Sequence, residues 1–519
     1  MAREGILVHA PYERMTGEQI KQIHHASMQI LNDSGITSFN REAAEIFRVN
    51  GADVIVVTSA EHPCWLIRIP EKLVLQAIDN APKIVKLGAR NADNSLILNG
   101  EEPRVFFVSG SETNIWLDVD FQTYVKKSNH STEILVPEFH PRRGTVLDLC
   151  QAAHLCEHLE SLDAFIRPVN IQDKDITEDN KDVNKFFASL NNTTKHVMAG
   201  LTSLKQLDNV INMAELIVGG KEELKENPIA SFITCLVKSP LQFIDDMTQT
   251  LIEISRRGLP VAIAVSPQSG TTAPIKEDGI VAQINAEILA GITLSQLVNE
   301  GTPVLYGSVP VRARLDDLSD SYGAPESSQY NIACVQMARF YKLPCYSTAG
   351  VCDAKTPGIQ SSIERLFSDI VVTLSGPQYL HCAYGLLAGN ATFCPLQAVL
   401  DDAHFQMLKF FLRPPRINQP ELEASLKQLK DVMGTSQKLY IRYIRHMLRS
   451  GQLSLPYPFE SEGDTDKVLL LAHEKMKQFI SQPVEHIEPS ITSRIFLEIP
   501  GILPRLNHPH LASPLEGEK

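Results

Sequence analysis

An α/β protein built on a (β/α)8 (TIM) barrel, with an N-terminal α/β cap and a C-terminal helical extension, is the fold class this sequence predicts. Three observations predict it. Short, continuously apolar runs alternate with helical stretches through the middle of the chain, the pattern of parallel strands buried on both faces. Eight such runs over roughly 280 residues suit a barrel better than an open doubly wound sheet, although period alone does not establish closure. The residues just after each run are small, polar and rich in glycine, as a cavity edge requires. The 519 residues, 43% apolar and 21% charged, leave ample chain for one large core with appendages.

Residues 1–104 read as the cap. Thr16-x-x-Gln19 spells a capping box before Ile20, Ile23, Ile30 and Leu31 at helical spacing, and Gly35 supplies the stop. A second helix spans Arg41–Val49 and ends at Asn50-Gly51, Val54–Val57 reads as a strand, and Pro70–Asn80 as a helix with proline in its first turn. Residues 105–400 form the barrel domain. Its strands are predicted in FFVSG from Phe106, DAFIRPV from Asp163, KHVMAG from Lys195, IASFITCL from Ile229, PVAIAVS from Pro260, PVLYGS from Pro303, LPCYSTAG from Leu343 and DIVVTLSG from Asp369. An insert from Asp118 to Arg143 is polar and has no clear period. Residues 401–519 read as helices with a basic face at Arg442, Arg445 and Arg449, then a proline-rich tail from Pro500.

Charge and motifs exclude several function classes. Forty-eight basic against 61 acidic side chains give −13, the wrong sign for a nucleic-acid footprint or for broad attachment to anionic lipid. Apolar stretches such as Leu259–Val265 fall far short of the roughly 20 residues that cross a bilayer, so no membrane partner is expected. The opening MAREGILVHAPYERM has no apolar signal core, and nine cysteines without a CxxC do not make a disulfide framework, so a cytoplasmic protein is expected. No dinucleotide fingerprint, phosphate loop or HExxH occurs. The reversed spelling HxxEH at His154–His158, beside Cys150 and Cys156, and the set His381, Cys382 and Cys394 are read as an amphipathic helix and buried thiols, so no metal held by the chain's own side chains is expected.

The strand ends carry Ser109-Gly110-Ser111, Asn170, Gly200, Lys238-Ser239-Pro240, Gln268-Ser269-Gly270, Gly307-Ser308, Gly350 to Asp353 and Ser375-Gly376. Two stretches are denser in polar groups than packing needs. In YGAPESSQYN, from Tyr322, Pro325 and Glu326 open a helix, where a carboxylate suits the helix dipole and, with the tyrosine, would also hold a cation. In LSGPQYLHCAYGLLAGNATF, from Leu374, His381 and Tyr384 fall at i, i+3 on one predicted helix past the eighth strand.

Several ordered motifs resemble the trimethylamine:corrinoid methyltransferase family. They are the run Ser269–Pro310, DSYGAPESSQY from Asp320, YKLPCYSTAGVCDAKTPGIQSSIE from Tyr341, LHCAYGLLAGNATF from Leu380 and KSPLQF from Lys238. The resemblance implies a barrel that moves a methyl group from a methylamine to the Co(I) of a corrinoid (cobalamin) carried by a separate small protein. Family members that demethylate trimethylamine carry pyrrolysine, and this sequence has only the common twenty residues. It is therefore similar to the pyrrolysine-less branch acting on glycine betaine, carnitine, butyrobetaine or proline betaine, whose quaternary nitrogen already makes a good leaving group. Gly-Val-Cys-Asp-Ala-Lys from Gly350 departs from the family's G-x-T-D-S-K. The resemblance implies His381 and Glu326 as catalytic residues, with Glu326, Phe107, Tyr322 and Tyr384 around the trimethylammonium. Ser109, Gln268, Asn390 or His381 would meet a carboxylate, His381 alternatively protonating the departing amine, while Gly350 and Asp353 face the corrinoid. A homo-oligomer is compatible with this reading. The alternatives are a corrinoid methyltransferase for a tertiary amine or another N-methylated donor, and a non-catalytic member that binds a betaine or a corrinoid protein.

Overall fold

In the computed structural model the described residues are 2–58, 63–126, 132–415, 417–436, 440, 453–454, 457–461 and 463–507. Eight strands each precede a helix. They are β1 (Arg104–Phe107), β2 (Phe165–Ile166), β3 (Val197–Ala199), β4 (Ala230–Thr234), β5 (Val261–Val265), β6 (Val304–Ser308), β7 (Cys345–Thr348) and β8 (Tyr379–His381). The helices that follow them are α1 (Val146–His158), α2 (Lys181–Asn192), α3 (Leu207–Val218), α4 (Asp245–Arg256), α5 (Glu277–Val298), α6 (Pro325–Phe340), α7 (Ile359–Ser375) and α8 (Pro395–Phe411).

These strands form a curled sheet in the order β1-β8-β7-β6-β5-β4-β3-β2, with Ile6–Leu7 added antiparallel beyond β1. Every other pairing is parallel. The two end strands of the eight approach each other. Val108 and Ala164 make a parallel bridge, and Asp163 N donates to Phe107 O at 2.7 Å. The inner face is one apolar cluster drawn from all eight units: Phe106 and Val108, Ala164 and Ile166, Met198, Ile233, Ala262 and Ala264, Leu305, Tyr346, and Tyr379. Tight packing of that kind fixes strand positions more firmly than the ladder bonds alone.

A hairpin, Ile84–Leu87 with Leu96–Asn99, lies across the starting ends of the strands. Its Val85, Leu87, Leu96 and Leu98 join the inner cluster. Around it Gly88 N donates to Pro228 O at 3.0 Å, His196 Nδ1 donates to Gly88 O at 2.7 Å, and Gln378 Nε2 donates to Glu102 O. Pro228, His196 and Gln378 stand just before β4, β3 and β8, so this end is sealed. The cap supplies helices Gly17–Gln29, Arg41–Val49 and Glu71–Asn80, the first with the expected capping box. Its small sheet is extended by Gln242–Phe243, part of the KSPLQF loop after β4, which pairs with Ile36–Ser38.

Two expectations need correction. DIVVTLSG is the end of helix α7, closed by Gly376 in the left-handed region at φ 78°, and the eighth strand is Tyr379–His381. A short apolar run cannot distinguish a buried strand from the buried side of a helix, and here Asp369, Val372 and Thr373 face inward at helical spacing. The insert is a long antiparallel hairpin, Ile115–Lys126 with Thr132–Arg143, packed on helix Thr465–Ser481. Arg442, Arg445 and Arg449 lie outside the described residues. Among the described residues one helix, α5, is long and apolar enough to cross a membrane, but 94% of its apolar window is buried within the protein, so it is a core helix.

Candidate active site

A stack of rings rises along the inner face toward the strand ends. Tyr379 stacks on Tyr346 with centroids 5.5 Å apart, and Tyr346 on His381 at 4.0 Å. His381 closes β8 and is 3% exposed. Its Nε2 meets Thr348 Oγ1 at 2.6 Å and its Nδ1 meets Cys382 Sγ at 2.8 Å. The Thr348 hydroxyl donates to Ser308 O, so it accepts from Nε2–H, and Nδ1 accepts from the thiol. Burial holds the imidazole pKa down at about 3. That shift favours the neutral ring, and both of its nitrogens have protein partners.

Above this stack the strand ends open to solvent. The inner-face Ile233 and Val309 are only partly buried, and Cys235, just past β4, is exposed. Its surroundings nevertheless push the Cys235 thiol up to about 11. Tyr322, from the loop after β6, lies within electrostatic reach of Cys235 and Cys382. Asp353 fixes that loop by accepting from Ser321 Oγ at 2.8 Å, Tyr322 N at 2.9 Å and Gly323 N at 3.3 Å. Beside it Gln268 Nε2 donates to Asp320 Oδ1 and Leu318 O, both at 2.8 Å. Burial raises the Asp320 carboxyl above its usual range. Asn390, next to Gly389 which borders Asp320 and Tyr322, is in the left-handed region at φ 75°, donates from Nδ2 to Ser111 Oγ at 3.0 Å and keeps a buried Oδ1 without a partner. Gly350 is required below: at φ 72° a Cβ would lie 2.8 Å from Asp369 Oδ1 and 2.9 Å from the Ala383 Cα.

Thus Tyr322, Gln268 and Asp353 come together, with Asn390 at the same end and His381 beneath. Four expected residues do not join them. Phe107 and Tyr384 are fully buried against Phe405 of α8, at 4.4 and 5.0 Å, in the layer between sheet and helices. Tyr384 follows a strand and does not share a helix with His381. Ser109 donates to Ile166 O and accepts from Ile166 N, stitching β1 to β2 with nothing left for a ligand. Glu326 opens α6 as expected, but its side chain is 44% exposed and 3.6 Å from Arg312 Nε, on the outer rim.

Sequence reading passed over Cys235, Asp320 and Arg167. Each stands at or soon after a strand end, so position was the available signal; Arg167 lies inside DAFIRPV itself. The HxxEH spelling is a packing surface, where His154 Nε2 donates to Gln482 O at 2.8 Å and His158 stacks on Phe479. Among the described residues one group has metal-ligand spacing, His24, His25 and Glu71 on the cap. Its His24 Nδ1 is 3.0 Å from the Tyr341 hydroxyl. A groove of about 1090 Å³ between the first cap helix and α5 is lined by none of the strand-end residues above.

A parallel α/β sheet sealed at one end, with an aromatic and carboxylate-bearing recess at the other, defines an enzyme of the kind that takes a compact ligand at its strand ends. The family model described as trimethylamine methyltransferase (MTTB) matches residues 4–130 and 134–439. The chain is 30% identical over 417 residues to trimethylamine methyltransferase MttB of Desulfitobacterium hafniense, covering 79% of this chain and 78% of that one. It is 26% identical over 496 residues to the protein of the same name from Methanosarcina barkeri, 94% of each chain. It is also 26% identical over 412 residues to glycine betaine methyltransferase of Desulfitobacterium hafniense, 78% of each. The chain belongs to the trimethylamine methyltransferase family and is a methyltransferase.

Proposed function

We propose that the protein takes a methyl group from a quaternary amine of the betaine type and passes it to the Co(I) of a corrinoid carried by a partner protein. We further propose that the curled sheet is a closed (β/α)8 barrel, a reading supported by the Val108–Ala164 bridge and the single inner cluster. The observation that carries the functional reading is Tyr322, held by Asp353 beside Asp320 above the ring stack. A quaternary ammonium is a diffuse cation with no N–H, so π faces and carboxylates are what favour it over water.

The corrinoid supplies the nucleophile, and the tasks left to this chain are orientation and water exclusion. Tyr322 and Asp320 favour the cation, which loses its charge as the methyl departs, so their grip must stay moderate. The neutral His381 forms part of the floor and leaves the departing tertiary amine unprotonated. Asn390 Oδ1 and Ser111 border the recess on the β1 side, and Gly350 lets the β7 and β8 turns close over Asp369.

The test is methyl transfer to reduced cobalamin, followed as the Co(I) to methyl-Co(III) spectral change, with glycine betaine, carnitine, proline betaine, trimethylamine and tetramethylammonium as donors. Transfer from a quaternary donor and none from trimethylamine is the expected result. Transfer from trimethylamine alone would overturn the reading.

A further inference from the structure

Arg167 follows β2 directly and lies across the ends of β2 and β3. Its side chain is 7% exposed, and its Nη2 pairs with Glu112. Its Nε and Nη1 are buried without any partner. Gly200, the first residue after β3, borders the guanidinium: a Cβ there would lie 3.9 Å from Nη2. Unpaired N–H edges on a buried guanidinium are costly and in a native fold ask for an explanation. Glu112, on one side of the fork, is a third exposed.

The neighbourhood is cationic. Lys185 of α2 is almost fully buried, with Asp182 and Thr202 as partners, and Lys181 lies 3.9 Å from Glu112. Arg167, Lys185 and Lys181 outnumber Glu112 and Asp182 by one positive charge. Although burial pushes the Glu112 carboxyl up, Arg167 and the two lysines hold it below its usual range. Burial, then Arg167, lowers Lys185 to about 8. In an eight-strand ring β2 stands opposite β6, and the loop after β6 carries Tyr322 and Asp320. The opening is therefore polarised, positive on the β2–β3 side and aromatic and acidic on the β6 side.

We infer that Arg167 is the carboxylate anchor of the site, selecting a zwitterionic donor whose carboxylate lies toward β2 while its methylated nitrogen lies toward Tyr322. This rests on the quaternary-amine reading and goes beyond it by naming the residue that discriminates a betaine from a carboxylate-free amine. A planar guanidinium takes a carboxylate through two parallel N–H bonds, which lysine cannot copy and glutamine cannot charge-assist. Ser109, Gln268, Asn390 and His381, the donors expected from sequence, each already bond within the protein, whereas Arg167 is a buried cation with N–H edges left unpaired.

The experiment is calorimetric titration of glycine betaine, carnitine and tetramethylammonium into the parent protein, Arg167→Gln and Arg167→Lys, with thermal melting to verify folding. Arg167→Gln should weaken both betaines about 10- to 100-fold, the loss of a charge-assisted pair, and leave tetramethylammonium unchanged. Arg167→Lys should recover part of the loss. Equal weakening of all three probes, or none, overturns the assignment. If the parent binds tetramethylammonium but no betaine, the anchor is wrong and the quaternary-amine reading stands. If it binds none of the three, both fall. Should Arg167→Gln not fold, Arg167→Lys decides alone: a loss confined to the betaines supports the anchor, and an unchanged or uniform profile overturns it.

Discussion

Single side chains in this protein gain their chemistry from depth. Cys235 is the one exposed thiol among nine free cysteines, and the other eight are buried. Iodoacetamide should therefore label one thiol per native chain, slowly because the Cys235 pKa is raised to about 11, with the rate climbing as pH rises. Peptide mapping should place that label at Cys235, and glycine betaine should slow it; labelling spread over several cysteines would sink the recess. His381 gives the opposite expectation. With its folded pKa near 3 against 6.5 when free, His381 binds no proton in the working range, so His381→Gln should keep the shape of the rate profile between about pH 6 and 9. The sign for stability follows: a depressed folded pKa contributes stability above 6.5 that is lost as pH falls toward 3. At this scale the sequence was half legible. Tyr322, Gln268, Asp353 and Asn390 follow from their place at strand ends. Tyr384 does not, because it lies past the end of β8 and not on the helix expected to carry it with His381. Phe107 does not, because period two along a strand does not reveal which face looks inward when both faces are apolar. Arg167 was hidden by the same ambiguity, sitting in a run read for its apolar neighbours.

Among the elements, loops are held by carboxylates that accept several bonds at once. Asp353 takes three donors from residues 321–323, so Asp353→Ala should free that segment. Expected are a KM for the methyl donor raised about tenfold or more and a melting temperature close to that of the parent, since few core contacts are lost. A wild-type KM would remove Tyr322 from the site. Arg365 of α7 pairs with Asp401 of α8, both fully buried, and also donates to Leu386 O and Ala383 O. Asp401 in turn accepts from Gly385 N. Truncation as Arg365→Ala strands a buried anion, and urea unfolding should show a loss of about 3–5 kcal/mol. Element types were mostly readable, from the capping box at Thr16 to seven of eight strands. The eighth was missed because Asp369 to Leu374 carries the inner side of α7, and the insert because a hairpin twelve residues long per strand packs against a helix far along the chain.

For the whole molecule, thiols set the alkaline limit. Burial raises Cys150, Cys156, Cys345, Cys352 and Cys394 to about 12 from an ordinary 9. A raised folded pKa gives stability that is complete below the unfolded value and lost as pH rises through the folded one. The melting temperature should thus fall steeply above about pH 9, and replacing Cys345 by alanine should shallow that slope; a flat alkaline limb would contradict the burial. A mixed α/β fold on a largely parallel sheet was predictable from alternation and length, whereas the hairpin across the starting ends of the strands was not, since nothing in the spacing of Val85, Leu87, Leu96 and Leu98 shows that they join the inner cluster. That hairpin has a kinetic meaning. If the sheet closes as proposed, a vessel stoppered at its base would leave one doorway for two reactants of very different size. Under the proposed function the small donor would then have to be inside before the bulky methyl acceptor arrived, and the spent amine would be trapped behind it. Turnover would be a queue with a fixed order, donor in, partner on, partner off, amine out, paced by the partner's departure as much as by the chemistry.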